Sequence, residues 1–256
     1  MPTSITIFDL LRWFTAFALL AGVGSGLGVA TLFLIRKTQP NRWSNWLFAG
    51  LLGAMSLTLL DKFLNFTLLT HWYPMLSFLP IYSSFILGPL LFFYVKSRLY
   101  PHFDMDRSDF KHFIAATVQF YLLLMMTFKD TDSKADFHVY YFSPFYGNFE
   151  KGVFVFQFFL YLYFSYRFIL HERLLRKTTA QRRQTLVLGW LKRMVKTLFI
   201  LFGIHASFIL TDYFTYKLFG MNLQEKLLFS ALYELSFAGM LAWLCLNGYF
   251  ALRRRL

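Results

Sequence analysis

Long apolar runs, broken at fairly even intervals by short polar clusters, fill nearly all of this 256-residue chain. Seven runs stand out, at about 13–35, 46–69, 74–96, 111–128, 152–171, 189–212 and 228–249. Each approaches the roughly 20 residues that an α-helix needs to cross a bilayer. A helix can cross because it pairs its own backbone N–H and C=O groups. The pattern predicts an all-α polytopic membrane protein: a seven-transmembrane-helix bundle, forming one domain over residues 1–256. Pro80 and Gly88-Pro89 lie inside the third run. Proline removes a helical hydrogen bond and crowds the preceding turn, so that helix is expected to kink.

The charged residues orient the bundle. Arg36, Lys37 and Arg42 follow the first run, and Lys96, Arg98, Arg107 and Lys111 separate the third from the fourth. Nine more, from Arg167 to Lys196, join the fifth to the sixth, and the chain ends in Arg253, Arg254 and Arg255. Nineteen of the 26 Lys/Arg thus fall on alternate connections, accompanied by four of the 13 acids. By the positive-inside rule these connections are cytoplasmic, with the N-terminus outside and the C-terminus cytoplasmic. Met1–Leu11 has no basic n-region and no clear cleavage site, so a removed signal peptide is not expected. The formal net charge of +13 is then a topology signal, with anionic lipids as partners of the basic cytoplasmic loops and no direct nucleic acid. The expected location is a plasma membrane, crossed several times. Composition agrees: 57% of residues are hydrophobic and 15% charged, against about a quarter charged in soluble domains.

Smaller patterns bear on packing. Gly22/Gly26 and Gly24/Gly28 form two small-xxx-small registers, a device for close helix approach in lipid, read here as packing within the bundle ahead of a dimer face. Gly50 and Ala54 repeat it more weakly. The connection Lys129–Lys151 is acidic in its first half and aromatic in its second, from Phe137 to Tyr146. It reads either as part of the aromatic belt at the interface or as a lid over the bundle. Arg167–Lys196 predicts that the fifth and sixth helices continue beyond the bilayer and join in a turn near Lys177–Ala180.

Little chemistry is signalled. The single cysteine, Cys245, allows no internal disulfide, and CxxC, HExxH, P-loop and GxSxG motifs are lacking. No catalytic residues, cofactor or metal site are expected. What remains are ionisable residues inside apolar runs, which are costly there and mark either pairs or function. Asp61, Lys62, His205, Asp212 and Glu234 all fall in the outer parts of their runs. Arg12 begins the first, and Tyr82, Ser83 and Ser84 lie in the outer half of the third. Two readings stay open. In one, Arg12 and Lys62 pair with Asp61, Glu234 or Asp212 and lock the helices. In the other, Asp61, Lys62, Tyr82, Ser83, His205, Asp212 and Glu234 line an outward pocket for a polar ligand. His205 by itself reads as a hydrogen-bonded residue of the bundle, with no second His or Cys at metal-ligand spacing.

The stretch Gly88-Pro89-Leu90-Leu91-Phe92-Phe93-Tyr94-Val95-Lys96-Ser97, followed by Pro101, Phe103 and Lys111-His112-Phe113-Ile114, is more specific. With Leu188-Gly189-Trp190-Leu191-Lys192-Arg193 and Leu246-Asn247-Gly248-Tyr249-Phe250, it resembles the membrane domain of seven-helix AraC-type regulators typical of Bacteroidota, over about residues 40–256. Ala115 stands where that family usually has proline. The sequence stops at Leu256, where those regulators continue into a cytoplasmic helix-turn-helix domain. The resemblance therefore implies a sensor-like membrane module without the DNA-binding part.

These readings converge on a membrane sensor or receptor-like module. It would read an outer-side ligand or membrane state and relay it to the cytoplasmic face, where a signalling protein is the expected partner. The alternative is a membrane effector or channel gated from the cytoplasm, its ion path lined by the same charged residues. A membrane enzyme is the weakest reading, since only Asp61, His205, Asp212 and Glu234 offer acid–base groups.

Overall fold

The computed structural model describes residues 6–35, 42–100, 102–175 and 182–253. Among these, every regular element is helical. The long helices are α1 (Ile7–Ile35), α2 (Arg42–Phe66), α4 (Ser84–Leu99), α5 (Ile114–Thr127), α7 (Gly147–Leu175), α8 (Arg182–Phe219) and α9 (Leu227–Arg253), with short helices α3 (Leu69–Trp72) and α6 (Thr131–Phe137) between them. A 3-10 turn, Arg107–Phe113, leads into α5, and a π-helical stretch, His138–Tyr146, leads from α6 into α7. Among the described residues, six helices are long and apolar enough to cross a membrane: those of α1, α2, Arg107–Thr127, α7, α8 and α9. That number marks a multi-pass membrane protein.

The third apolar run is where the structure corrects the sequence pattern. In place of a kinked helix over 74–96, the chain makes a 3-10 turn at Pro74–Leu76, continues without regular helix to Ser83, and only then enters α4. Sixteen residues rise about 24 Å, short of the roughly 30 Å hydrocarbon core. Non-helical backbone is tolerated at membrane depth where it is buried in protein or lines a cavity; residues 76–83 are half-buried, and α4 after them is nearly engulfed: Leu87, Leu91, Phe93 and Val95 are fully buried. Side chains from other helices complete its backbone pairing. Pro89 has no N–H to offer the Phe85 carbonyl, four residues earlier. The Gln157 side-chain amide of α7 donates to that carbonyl instead, at 3.1 Å. The Phe85 N–H, unpaired at the helix start, donates to Gln119 Oε1 of α5 at 3.4 Å.

Packing follows the ring α1–α2–α4–α7–α8–α9 and back to α1, with α5 laid against the outside of α4. Small residues set the close approaches. A Cβ on Gly26 would come within 2.0 Å of Ser56 Oγ and 3.1 Å of Leu241, and one on Gly22 within 2.6 Å of Leu59. Gly24 and Gly28 meet nothing within 4 Å, so only the first glycine register packs inside the bundle. Gly88 likewise lets Tyr161 of α7 approach, and Gly248 lets Phe48 of α2.

One end of the bundle collects the basic connections. There Trp43 Nε1 donates to Asp104 at 2.9 Å, Lys96 meets Asp109 at 3.8 Å, and Phe93 packs on Phe103, His112 and Phe113. Both α7 and α8 reach further toward it than the runs 152–171 and 189–212, ending at Leu175 and beginning at Arg182. The expected turn at Lys177–Ala180 lies outside the described residues.

Candidate functional site

The opposite end carries a cavity of about 170 Å³ at the junction of α2, α4, α7, α8 and α9. Its polar lining is Thr58, Asp61, Lys62, Tyr82, Ser84, Glu150, Lys151 and His205, and its apolar walls include Phe142, Phe154, Tyr233 and Phe237. Helix registers explain the convergence: Thr58, Asp61 and Lys62 share one face of α2, Glu150 and Phe154 one face of α7, and Tyr233 and Phe237 one face of α9, three or four residues apart.

The charges are not equivalent. Lys62 Nζ lies 2.9 Å from Glu234 Oε2, with both side chains largely covered. The same ammonium sits over the Tyr233 ring at 4.1 Å and the Phe237 ring at 5.5 Å, positions where a ring quadrupole favours a cation. Glu234 is thus neutralised from behind the cavity wall. Asp61 makes no contact-range ion pair among the described residues, although the Lys62 charge acts on it; Asn65 donates to its Oδ2 at 3.2 Å. Glu150 accepts from the Gln119 side-chain amide and from Tyr82. His205, 1% exposed, pairs through Nδ1 with Ser236 Oγ at 2.7 Å and stacks on Tyr233 with ring centroids 4.9 Å apart.

Of the residues singled out from sequence, Asp61, Lys62, Tyr82 and His205 line this cavity, and Glu234 holds Lys62 in place. Ser83 donates to Gln119 Oε1 at 3.3 Å, and its neighbour Ser84 lines the wall instead. Asp212 is displaced into an adjoining cavity of about 230 Å³, where its carboxylate accepts from Leu223 N–H and the Gln224 amide at 3.1 and 2.8 Å. Arg12 is exposed near the start of α1 and makes none of the expected pairs among the described residues.

Glu150, Gln119 and Gln157 escaped the sequence reading. Glu150 stands where the acidic connection ends and α7 begins, so its sequence context is that of a loop. A helix start does favour a carboxylate, and beginning α7 at Gly147 would have placed Glu150 on its inner face. The two glutamines carry no charge and were absorbed into apolar runs.

The aromatic connection closes over this end. Phe142 and Gly147 line the cavity, whereas Val139, Tyr140 and Tyr141 are exposed. The π-helical stretch ends with the Gly147 N–H bonded to the Phe142 carbonyl. A Cβ on Gly147 would sit 3.0 Å from that oxygen, so glycine suits the close approach. Phe78, at φ 59°, packs its ring against Phe137, His138 and Phe142. A left-handed conformation costs a bulky residue energy and persists only where surroundings over-determine it. Here three ring contacts and a 3.0 Å bond from Thr127 Oγ1 to the Phe78 carbonyl do so. Upstream, Asp130 caps α6 by accepting from Ser133 Oγ and N–H, which holds its carboxyl below the ordinary carboxylate pKa.

Beneath the cavity lies an apolar layer in which Met55, Leu87, Phe158, Phe202 and Leu241 are each 0–1% exposed. Phe158 and Phe202 meet there with ring centroids 4.5 Å apart. Among the described residues, no three His, Cys, Asp or Glu side chains assemble into a metal set. No family model matches this chain, and neither curated proteins nor solved structures gave a similar one.

Proposed function

We propose that this protein is a membrane sensor or receptor-like module whose ligand is a small polar molecule bound in the cavity at Asp61 and Glu150. The observation that carries this reading is the cavity itself: two carboxylates with no contact-range ion pair among the described residues, beside the Lys62–Glu234 pair, at one end of an otherwise apolar bundle. Charge in such a place is expensive unless it is paired or serves a ligand. The proposal places the N-terminus and the cavity outside, the basic end in the cytoplasm, and the chain in a bacterial inner membrane. In it, α4 and the half-buried stretch before it make a seventh passage. The likeness of Gly88–Ser97 and its companion motifs to AraC-type membrane regulators belongs to the same proposal.

The relay would run through α7 and α8, which line the cavity and continue to the basic end; the 38 residues of α8 span about 57 Å. A cytoplasmic protein would read their positions there. The packed apolar layer under the cavity favours this reading over an ion path, which would have to cross it.

Spin labels at exposed Arg167 and Arg193, on the basic halves of α7 and α8, test the relay in lipid nanodiscs. Asp61→Asn and Glu150→Gln alter the cavity charge without touching either label. The relay predicts that at least one shifts the inter-label distance distribution. Distributions identical to the unsubstituted protein in both variants would contradict it.

A further inference from the structure

Beside the polar cavity, a groove of about 600 Å³ runs between α7 and α8. Its walls include Phe149, Val153, Phe156, Leu210 and Phe214, and Lys151, Asp212 and Lys217 also line it. The two helices follow one another through a short connection and pack antiparallel, so the polarity is graded along the groove. Lys151 and Lys217 lie toward the cavity end, while Phe156 and Leu210 lie five and seven residues further along their helices, about 8–10 Å deeper at 1.5 Å per residue. The apolar part faces outward: Phe149, Phe156, Leu210 and Phe214 are 58%, 70%, 43% and 55% exposed. On membrane-spanning helices that direction is lipid.

The charges at the mouth are unequal in availability. Asp212 is engaged by Leu223 N–H and Gln224. Among the described residues, neither Lys151 nor Lys217 has a carboxylate within ion-pair distance. Two ammonium groups with no contact-range carboxylate among the described residues, of which Lys151 also acts at longer range on Glu150, stand above an apolar cleft and match one kind of molecule in shape and in charge. We infer that this groove is a binding site for an anionic phospholipid of the surrounding leaflet, its phosphate at Lys151 and Lys217 and one acyl chain between α7 and α8. Gly152 provides room for the chain, since a Cβ there meets nothing within 4 Å. The site is distinct from the ligand cavity but adjoins it, because Lys151 and Ile209 line both. An occupant of the groove would therefore fix the position of Lys151 at the cavity wall.

Native mass spectrometry of the whole chain, released from nanodiscs of phosphatidylcholine and phosphatidylglycerol with matched chains, tests the inference. The basic end also attracts anionic lipid, so the readout is the copy lost on substitution. One phosphatidylglycerol should be retained in preference to phosphatidylcholine and be weakened about fivefold by Lys151→Gln or by Lys217→Gln. Gly152→Leu should remove it by filling the groove. Gly28→Leu, equally unobstructed but on α1, should leave it in place, and monodisperse elution reports folding for all four variants. Three results overturn the inference: equal retention of both lipids, phosphatidylglycerol binding untouched by Gly152→Leu and by both lysine substitutions, or displacement by inorganic phosphate, which would mean a soluble anion.

Discussion

The two acidic residues most visible in the sequence, Asp61 and Glu234, have different physical circumstances. Glu234 is the partner of Lys62, and removing one member of a covered pair strands the other. Glu234→Gln is therefore expected to destabilise by about 3–5 kcal/mol, somewhat softened by the Tyr233 ring under the ammonium. Thermal unfolding of the purified protein in detergent measures this, and replacing Lys62 and Glu234 together with methionine should restore much of the loss. Asp61→Asn keeps the bond from Asn65 possible and strands no lysine, so its unfolding midpoint should stay near that of the parent. Equal losses in the two amide variants would mean that Asp61 is as structural as Glu234 and would remove it from the site.

At the scale of elements, α4 explains most of what hydropathy could and could not show. Six of the seven apolar runs became helices long enough to span, because a helix closes its hydrogen bonds locally and needs little beyond an unbroken apolar stretch. The third run is just as apolar, but Pro89 and the late start of α4 leave the Phe85 carbonyl and N–H for residues distant in sequence to satisfy. No periodicity within 74–96 signals that Gln119 and Gln157 do so. The candidate site divides in the same way. Asp61, Lys62 and His205 are conspicuous because charge or imidazole inside an apolar run is rare. Glu150 hid behind an acidic connection, and Asp212 shared the depth of the others but faces Gln224. The role of Gln157 has a direct consequence. Gln157→Leu is nearly the same size but leaves the Phe85 carbonyl buried and unpaired, a loss of about 1–3 kcal/mol. It should appear as a lower unfolding midpoint and as faster amide exchange at the start of α4. An unchanged midpoint would show that the carbonyl finds another partner.

The whole molecule combines an all-helical multi-pass bundle with a polarity that differs between its ends: a charged, aromatic-covered cavity at one, basic connections at the other, and a close-packed apolar layer between. A sensor of this design needs its cavity to be reached by water from the side opposite the basic connections. Ser84→Cys, in a Cys245→Ser background, places one thiol in the cavity wall. Modification by a small membrane-impermeant cationic methanethiosulfonate, applied separately to the two faces of sealed vesicles, reads that thiol. The account predicts reaction from the face bearing the N-terminus, and protection from the face bearing the basic connections. Reaction only from the basic face, or from neither face in the folded protein, would contradict it.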